Sequence, residues 1–466
     1  MEYFVTMDES IDFSYGRVYM EKQCLFINGE VITVNAANDV EEAIAIKGKE
    51  IIAVGSTEDI LKLNDDHTEV VDLKGRTLMP GIIDAHLHIS GYGTNNLSVS
   101  CKEDHIESIQ DVLLELKKQK ENTPKGEWVR AWGYHDTKIA EGRYPTIEEL
   151  DSVSTEHPII VVRACGHISV VNSVALELAG ITKDTPDPEG GIYQKSESGD
   201  LTGVLIETAC MKMRALSAFT DDELDQAHKI ASDHLLEKGI TSIHDATGQG
   251  AMGLRALQRA STTGIIKQRV YTMVGRDLEW GGHLIESGIY TGLGDHQFKI
   301  GPLKLFLDGS SSGPTVWTRE PYASDPENYG VYYYDQETVD ELFVEAHRQG
   351  WQVTAHAQGD AAIDMLLNTI EKANKLYPRS NARHRIEHAG IATSDLVKRM
   401  KDQNVVSTPN PAFLYEYGDG YIENYGERAY QMFPLKEYID EGVTAAITSD
   451  SPVTDFSPMR GMHSAI

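Results

Sequence analysis

Short apolar runs broken by glycine dominate the first part of the chain. Three of them, CLFINGEVITVN, AIAIKGKEIIAVG and EVVDLKGRTLMPG, follow one another. Such runs predict strands joined as hairpins, and Gly29, Gly48 and Gly75 stand where tight reversals need a positive φ. We therefore predict a small β module over residues 24–79, preceded by an N-terminal extension at residues 1–23.

After Pro80 the pattern changes to strands that alternate with helices. Residues Thr220 to Glu223 form a capping box that opens an amphipathic helix, and Gly239 ends that helix before the strand ITSIHDA. The same order recurs to the end of the chain. Eight strands of this kind are predicted: Leu78–His88, Ile240–Ala246, Gln268–Val274, Leu303–Asp308, Gln352–Ala357, His384–His388, Val405–Pro409 and Thr444–Asp450.

This alternation predicts an α/β fold. Strands that alternate with helices form a parallel sheet, and eight such units close into a (β/α)₈ barrel, the TIM-barrel architecture, with its active site at the carboxyl ends of the strands. We assign residues 80–88 and 220–466 to the barrel. Residues 89–219 are far more than one crossover requires, so we predict an inserted α+β subdomain after the first strand.

The composition is that of a globular protein and restricts its partners. Hydrophobic residues make up 41% of the 466 residues and charged residues 24%. Asp and Glu outnumber Lys and Arg by 72 to 42, and the formal charge of -30 repels phosphate backbones and anionic lipid surfaces. We therefore expect neither nucleic acid nor a membrane as partner. The sequence shows no secretion signal or membrane-spanning run, which predicts a cytoplasmic location, and its four scattered cysteines are expected to be free thiols.

Six side chains that can bind a metal fall at or near the carboxyl ends of predicted strands. They are His86 and His88 on the first strand, Lys304 on the fourth, His356 on the fifth, His388 on the sixth and Asp450 on the eighth. Residues i and i+2 of a strand face the same side, so His86 and His88 can chelate one ion. A single HxH pair is usually structural, but the ensemble at one end of one barrel predicts a metal site. Imidazole and carboxylate suit zinc, iron, manganese or nickel and do not distinguish among them.

Five segments, PGIIDAHLH, KLFLDGS, TAHAQGD, RIEHAG and ITSDSPV, resemble in order the blocks of the amidohydrolase superfamily. GHISVVNSVALELAGI and GVLIETA are similar to blocks of its YtcJ-like branch, which includes N-substituted formamide deformylases. The resemblance covers residues 24–466 and lacks the closing segments usual in that branch, so we expect the last barrel helix to be absent or very short. It implies a divalent metal, with zinc expected, and hydrolysis of a non-peptide carbon–nitrogen bond in a small amide or N-substituted formamide by a metal-activated water.

The resemblance also implies a role for each ligand. One metal is held by His86, His88 and Asp450, and a second by His356 and His388. Lys304 bridges the two as an Nζ-carboxylated side chain, and Asp450 takes the proton of the attacking water and passes it to the departing amine. The alternative for Lys304 is an unmodified side chain paired with Asp308 or with a substrate carboxylate, in which case the site holds a single metal.

Substrate contacts are expected from the inserted subdomain and from the loops after the strands. The candidates are Tyr134, His135, His167 and Asp308. His244 and Asp245 end the second strand and are expected to orient ligands by hydrogen bonds. Two other functions stay open, because a fold does not dictate a reaction: metal-assisted isomerisation or decarboxylation, and an inactive, truncated metal-binding homologue. A homodimer also stays open.

Overall fold

The structure is a computed structural model, which describes residues 22–102, 106–164, 166–246, 250–276 and 279–466. The extension predicted at residues 1–23 lies almost wholly outside these ranges, and Cys165 lies outside them too. The chain divides into two compact units, Met1–Gly81 and Ile82–Ile466. No disulfide joins the three cysteines that the structure describes. Among the described helices, none has both the length and the apolar character needed to cross a membrane.

The first unit contains two small sheets and one short helix. Its elements are β1 (Gln23–Ile27), β2 (Glu30–Ile32), β3 (Val40–Glu41), β4 (Ala43–Lys47), β5 (Glu50–Gly55), α1 (Thr57–Leu61), β6 (Glu69–Asp72) and β7 (Thr77–Leu78). The strand orders are β5-β4-β1-β6 and β3-β2-β7. Leu25, Ala45 and Ile60 pack in its core, so the small β module predicted from the glycine-broken pattern is present.

The second unit begins with the first barrel strand and the inserted subdomain. These elements are β8 (Ile82–Leu87), α2 (Ile89–Asn96), β9 (Val99–Ser100), α3 (Ile109–Glu121), β10 (Val129–Tyr134), α4 (Ile147–Asp151), β11 (Ile159–Arg163), β12 (Ile168–Val171), α5 (Ser173–Leu178), β13 (Gly191–Lys195), β14 (Leu201–Glu207) and α6 (Thr208–Leu216). One mixed sheet joins six of the strands in the order β13-β14-β12-β11-β10-β9. Consecutive residues of β11, Ile160 and Val161, pack in separate apolar cores, as expected for a sheet covered on both faces.

The remaining elements complete the barrel. They are α7 (Asp221–Glu237), β15 (Ile240–Asp245), α8 (Gly250–Thr262), β16 (Arg269–Gly275), α9 (Glu279–Glu286), β17 (Phe298–Phe306), α10 (Gln336–Arg348), β18 (Val353–Ala357), α11 (Asp360–Leu376), β19 (Arg385–His388), α12 (Ser394–Asp402), β20 (Val406–Thr408), α13 (Ala412–Tyr425), a 3₁₀ helix (Gly426–Gln431), α14 (Leu435–Glu441) and α15 (Pro458–Ser464). Seven strands form a parallel, nearly closed sheet in the order β20-β19-β18-β17-β16-β15-β8. Leu303, Phe343 and Trp351 are among the fully buried residues of the main core. The predicted TIM-barrel fold is therefore confirmed.

The predicted capping box also connects the barrel to the insertion. The Thr220 side chain accepts a hydrogen bond from the Glu223 amide, and the Glu223 carboxylate accepts one from the Thr220 amide. The same carboxylate lies 2.7 Å from Nη1 of Arg130 on β10. The Glu223 carboxylate thus both caps the start of α7 and connects that barrel helix to the inserted sheet.

The eighth predicted strand, Thr444–Asp450, is not formed as a strand. The Thr444 carbonyl accepts from the Ser407 amide at 3.0 Å, whereas the Asp450 amide donates to the His86 carbonyl at 2.8 Å. The backbone therefore changes partner from β20 to β8 within seven residues, and Asp450 has a φ of +56°. The prediction was wrong because alternation of residue types cannot reveal this change of partner. Residues 444–451, the closing segment below, still occupy the eighth place of the barrel.

Candidate metal centre

The carboxyl ends of the barrel strands bring three potential metal ligands together. His86 of β8, His388 of β19 and Asp450 of the closing segment are buried, and their ligand atoms all lie within 4.8 Å of one another. Nε2 of His86 lies 3.4 Å from Oδ1 of Asp450, and the rings of His86 and His388 are 4.7 Å apart. Two imidazoles and a carboxylate at this spacing are a donor set for a divalent transition-metal ion.

His88 and Lys304 border this cluster. Nε2 of His88 lies 3.2 Å from Oδ1 of Asp450. Nζ of Lys304 lies 3.3 Å from Nε2 of His86 and donates to the carbonyl of Ala246 at 3.0 Å. Both side chains are therefore placed to contribute to a site that contains His86 and Asp450.

His356 lies on the other side of His388, and their ring centroids are 4.5 Å apart. Its Nε2 lies 2.8 Å from the carbonyl oxygen of Gly309. All six predicted ligands thus fall at one end of the barrel. Their division between two metal ions stays a prediction.

Burial sets the charge of the imidazoles. It lowers the pKa of His86 to about 4 and that of His356 and His388 to about 3. These rings are therefore neutral at physiological pH, and neutral imidazole is the form that binds metal ions.

Burial also lowers the pKa of Lys304 from its usual value, which favours the neutral amine. For Asp450, burial by itself raises the pKa, but the hydrogen bond from His88 and the imidazoles of His86 and His388 outweigh it and lower the pKa. The Asp450 carboxylate is therefore ionised, as a ligand or a proton acceptor must be.

Two ligands stand on backbone that L residues rarely adopt. His388 has a φ of +72° and Asp450 a φ of +56°. Non-glycine residues in this region are uncommon and concentrate at functional sites. At the ends of their segments, these turns direct both side chains into the cluster, which periodicity alone could not have predicted.

Sequence reasoning missed Glu387, the residue that holds His86. Its Oε2 lies 2.5 Å from Nδ1 of His86, and its carboxylate also accepts hydrogen bonds from Thr354, Arg385 and Thr408 at 2.5, 2.9 and 2.9 Å. Burial alone would raise the pKa of Glu387, but the charge of Arg385 and the hydrogen bond with His86 hold the pKa well below its usual value. A signal was present, since the strand RIEH places an acid and a base two residues apart in an otherwise buried run.

Asn410 and Asp84 were missed as well. The Asn410 side-chain oxygen lies 2.7 Å from Nδ1 of His388, which leaves Nε2 for a ligand. Oδ1 of Asp84 accepts hydrogen bonds from the amides of His86 and Ser449, both at 3.2 Å. Asp84 thus joins β8 to the closing segment beside the cluster.

Tyr134 is not placed as a substrate contact, which corrects the prediction. Its ring is fully buried in a core of the inserted subdomain, and its hydroxyl donates to the carbonyl of Arg143 at 2.5 Å.

The Asp308 carboxylate is likewise hydrogen-bonded within the protein. Its buried carboxylate accepts hydrogen bonds from the amides of Trp317, Gln358 and Gly359 at 3.1, 3.0 and 2.8 Å. No ion pair between Asp308 and Lys304 is found in the described parts of the chain, so the suggested pairing of these two residues is wrong. Asp308 instead fixes the loop after β17 against the start of α11.

His135 and His167 each make a hydrogen bond to another residue of the inserted subdomain. Nδ1 of His135 lies 2.9 Å from Oγ1 of Thr137, and Nδ1 of His167 lies 2.9 Å from Oε2 of Glu207. Both of these partners belong to the inserted subdomain. Their role in substrate binding stays a prediction.

His244 and Asp245 behave differently from each other. Asp245 accepts a hydrogen bond from the amide of Ile89 at 3.1 Å, next to His88. Nδ1 of His244 accepts one from Arg385 at 2.7 Å. Arg385 also donates to Glu387, which contacts Nδ1 of His86, so His244 is linked to His86 through these two residues.

A sequence profile described as "Amidohydrolase family" matches residues 69–466, which include all six strand-end residues. The chain belongs to the amidohydrolase family. An N-substituted formamide deformylase from Arthrobacter pascens is 30% identical over 465 residues, or 96% of this chain and 83% of that protein. YtcJ of Bacillus subtilis (strain 168), provisionally named an amidohydrolase, is 29% identical over 454 residues, or 95% of this chain and 83% of its own length.

Solved structures agree with this membership. The crystal structure of an uncharacterized metal-dependent hydrolase from Pyrococcus furiosus matches with a TM-score of 0.78 at 25% identity, over 95% of this chain and 88% of that one. As an amidohydrolase, the chain is a hydrolase that acts on carbon–nitrogen bonds.

Proposed function

We propose that this amidohydrolase hydrolyses a non-peptide carbon–nitrogen bond in a small amide or N-substituted formamide, using a divalent metal held at the carboxyl ends of its barrel strands. The observation that carries the proposal is the buried cluster of His86, His388 and Asp450, with ligand atoms within 4.8 Å of one another. The relative named N-substituted formamide deformylase supports the substrate class.

The residues present fit a divalent ion. Neutral imidazoles and an ionised carboxylate converge in a buried site, and zinc is the ion we propose among the divalent ions that bind such donors. His88, His356 and Lys304 extend the set to one or two ions. A bound ion supplies Lewis acidity, which makes water acidic enough to act as a nucleophile near neutral pH and polarises a carbonyl oxygen.

Lys304 is proposed to be carboxylated on Nζ. Only a neutral amine reacts with carbon dioxide, and burial favours that form of Lys304. The reaction joins the Nζ nitrogen to carbon dioxide and releases a proton, so the neutral amine becomes an anionic N-carboxylate. Its oxygens would be further ligands for a divalent ion beside His86, whose Nε2 lies 3.3 Å from Nζ. Protein supplied with ¹³C-bicarbonate is expected to show a carbamate carbon signal by NMR that is absent from a Lys304→Met variant. The same signal in the variant would contradict the assignment.

Asp450 is proposed to move the proton. Its ionised carboxylate can accept a proton from the attacking water and donate it to the departing amine, which is otherwise a poor leaving group. His88 keeps that carboxylate oriented through the 3.2 Å contact with Oδ1, and Glu387 keeps His86 oriented through Nδ1.

The decisive experiment combines metal analysis with product analysis. Protein purified without added metal is expected to contain one or two equivalents of a divalent metal, and to release an amine and formate or another acid from a panel of N-substituted formamides and acyl amides. Turnover in ¹⁸O-water should place the label in the acid product. Amine release without label would indicate another reaction, and bound metal without any turnover would indicate a binding protein.

A pair of variants separates the metal centre from general damage. His388→Ala should lose metal and turnover together. His347→Gln removes another fully buried imidazole, which contacts His384 at 2.8 Å and lies outside the cluster, so its metal content per folded molecule should not change. Equal metal loss in both variants would argue against the assigned site.

A further inference from the structure

A cavity opens among the amino ends of the barrel strands, at the mouth opposite the metal centre. Its volume is about 660 Å³, and its walls include Ser242 and His244 of β15, Tyr271 of β16 and Gln352 just before β18. None of the six strand-end ligands lines it. We call it the lower cavity.

The lower cavity is lined by basic side chains and, among the described residues, by no carboxylate. The basic and imidazole residues are Arg269, Lys299, Arg379, Arg383, Arg385, His244 and His296. The whole chain has 72 acidic against 42 basic residues, so the basic lining of this cavity contrasts with the acidic composition of the protein. Low-dielectric walls that carry one sign of charge concentrate counter-ions.

Two of these cations are already engaged by the protein. The Arg385 guanidinium donates to Glu387 and to Nδ1 of His244, and that of Arg379 donates to three backbone carbonyls at 2.7 to 3.0 Å. Because Nδ1 of His244 accepts, its Nε2 carries the proton in the neutral ring. Within the described chain, no acceptor is recorded for that N–H.

Three further cationic side chains are exposed and have no hydrogen-bond or ion-pair partner among the described residues. In the parts of the chain that the structure describes, the side chains of Arg269, Lys299 and Arg383 make no hydrogen bond or ion pair. Arg269 precedes Tyr271 by two residues on one face of β16, and Lys299 is the register partner of Tyr271 on β17. Arg383 lines the same cavity just before β19. The three charged side chains therefore share one cavity wall.

We propose that the lower cavity binds a small, multiply charged oxyanion, such as a polyphosphate or a polycarboxylate. Its volume is that of a small-molecule site, and free guanidinium and ammonium groups are the usual donors to such oxygens. The formal charge of -30 disfavours a larger anionic surface as the occupant. The inference is independent of the proposed function.

The test is calorimetric titration of the protein as purified, with pyrophosphate and separately with tricarballylate. One equivalent of at least one probe is expected to bind, more weakly as salt is added. In Lys299→Ala/Arg383→Ala, the affinity should fall about 100-fold, since each of the two lost charge-assisted contacts is worth about tenfold. Both side chains are exposed and unpartnered, so the fold should persist, as circular dichroism can verify.

Lys183→Ala/Lys398→Ala is the matched control. It removes the same charge from exposed positions away from the lower cavity and should bind as the native protein does. Binding of pyrophosphate alone would identify a phosphate site, and binding of tricarballylate alone a carboxylate site. The proposal fails if neither probe binds at millimolar concentration or if both double variants lose affinity equally. It also fails if the cavity variant keeps full affinity, which would place the anion elsewhere on the protein.

Discussion

Replacement of Glu387 by glutamine is the most informative perturbation of the metal centre. The Glu387 carboxylate is fully buried, and every partner recorded for it is a donor: His86, Thr354, Arg385 and Thr408. Glutamine has nearly the same shape but presents one NH₂ group to these donors and carries no charge. The Arg385 guanidinium is then left buried without its counter-charge.

The magnitude follows from these contacts. Removal of one partner of a buried ion pair costs about 3–5 kcal/mol of unfolding free energy, because the other charge stays buried and uncompensated. His86 also loses the charged acceptor that fixes its ring and its tautomer, and mutation of such a partner lowers metal affinity by about 10- to 100-fold. We expect both effects in Glu387→Gln.

The assay is urea unfolding of metal-free protein together with zinc titration of the folded protein. Asp340→Asn is the control, because Asp340 is also a buried carboxylate, paired with Lys372 at 2.7 Å between α10 and α11. It should lose stability but bind zinc normally. A Glu387→Gln protein within about 0.5 kcal/mol of native stability, the range of neutral surface changes, and with native zinc affinity would refute this account of Glu387.

Three further outcomes are expected. Asp450→Asn should lower turnover by about 10²-fold or more, since an amide cannot accept the proton, and a variant with native turnover would remove this role. Chelation should lower the unfolding midpoint and added zinc should restore it, because a ligand of the folded state stabilises that state; an unchanged midpoint would count against the centre. Burial lowers the pKa of His228 to about 4 and of His384 to about 3, from 6.5. Below pH 6.5 the unfolded chain therefore takes up protons that the folded chain does not, and metal-free protein should lose stability between about pH 6.5 and 4. Asp84 and Asp308, whose pKa burial raises to about 6 and 7, act in the opposite sense and reduce this slope. An unfolding free energy that stays constant or rises as the pH falls would contradict the expectation that the buried histidines outweigh Asp84 and Asp308.

Much of the barrel could be predicted because its signals are local. The capping box at Thr220 lies within four residues, and the predicted strands Ile240–Ala246 and Gln352–Ala357 each lie within one residue of the observed bounds at either end. The ligand positions could be predicted for the same reason, since His86 and His388 stand at strand ends. The conformation of the closing segment could not be predicted in this way, because its backbone forms hydrogen bonds with both β20 and β8, and β8 is distant in sequence.

The residues that hold the ligands in place could not be predicted, because their roles depend on contacts between segments that are far apart in the sequence. Glu387 meets His86 across 301 positions of the chain, and Asp84 meets Ser449 across 365. The sequence by itself determined the order of strands and helices, the residue types at the strand ends and the acidic charge, all of which follow from short-range periodicity and composition. Only the tertiary structure decided that Tyr134 packs in a core, that Glu387 fixes His86, and that the unpartnered cations gather at the opposite mouth. The reason is physical: burial and pairing are properties of the closed barrel, and they arise when distant strands become neighbours.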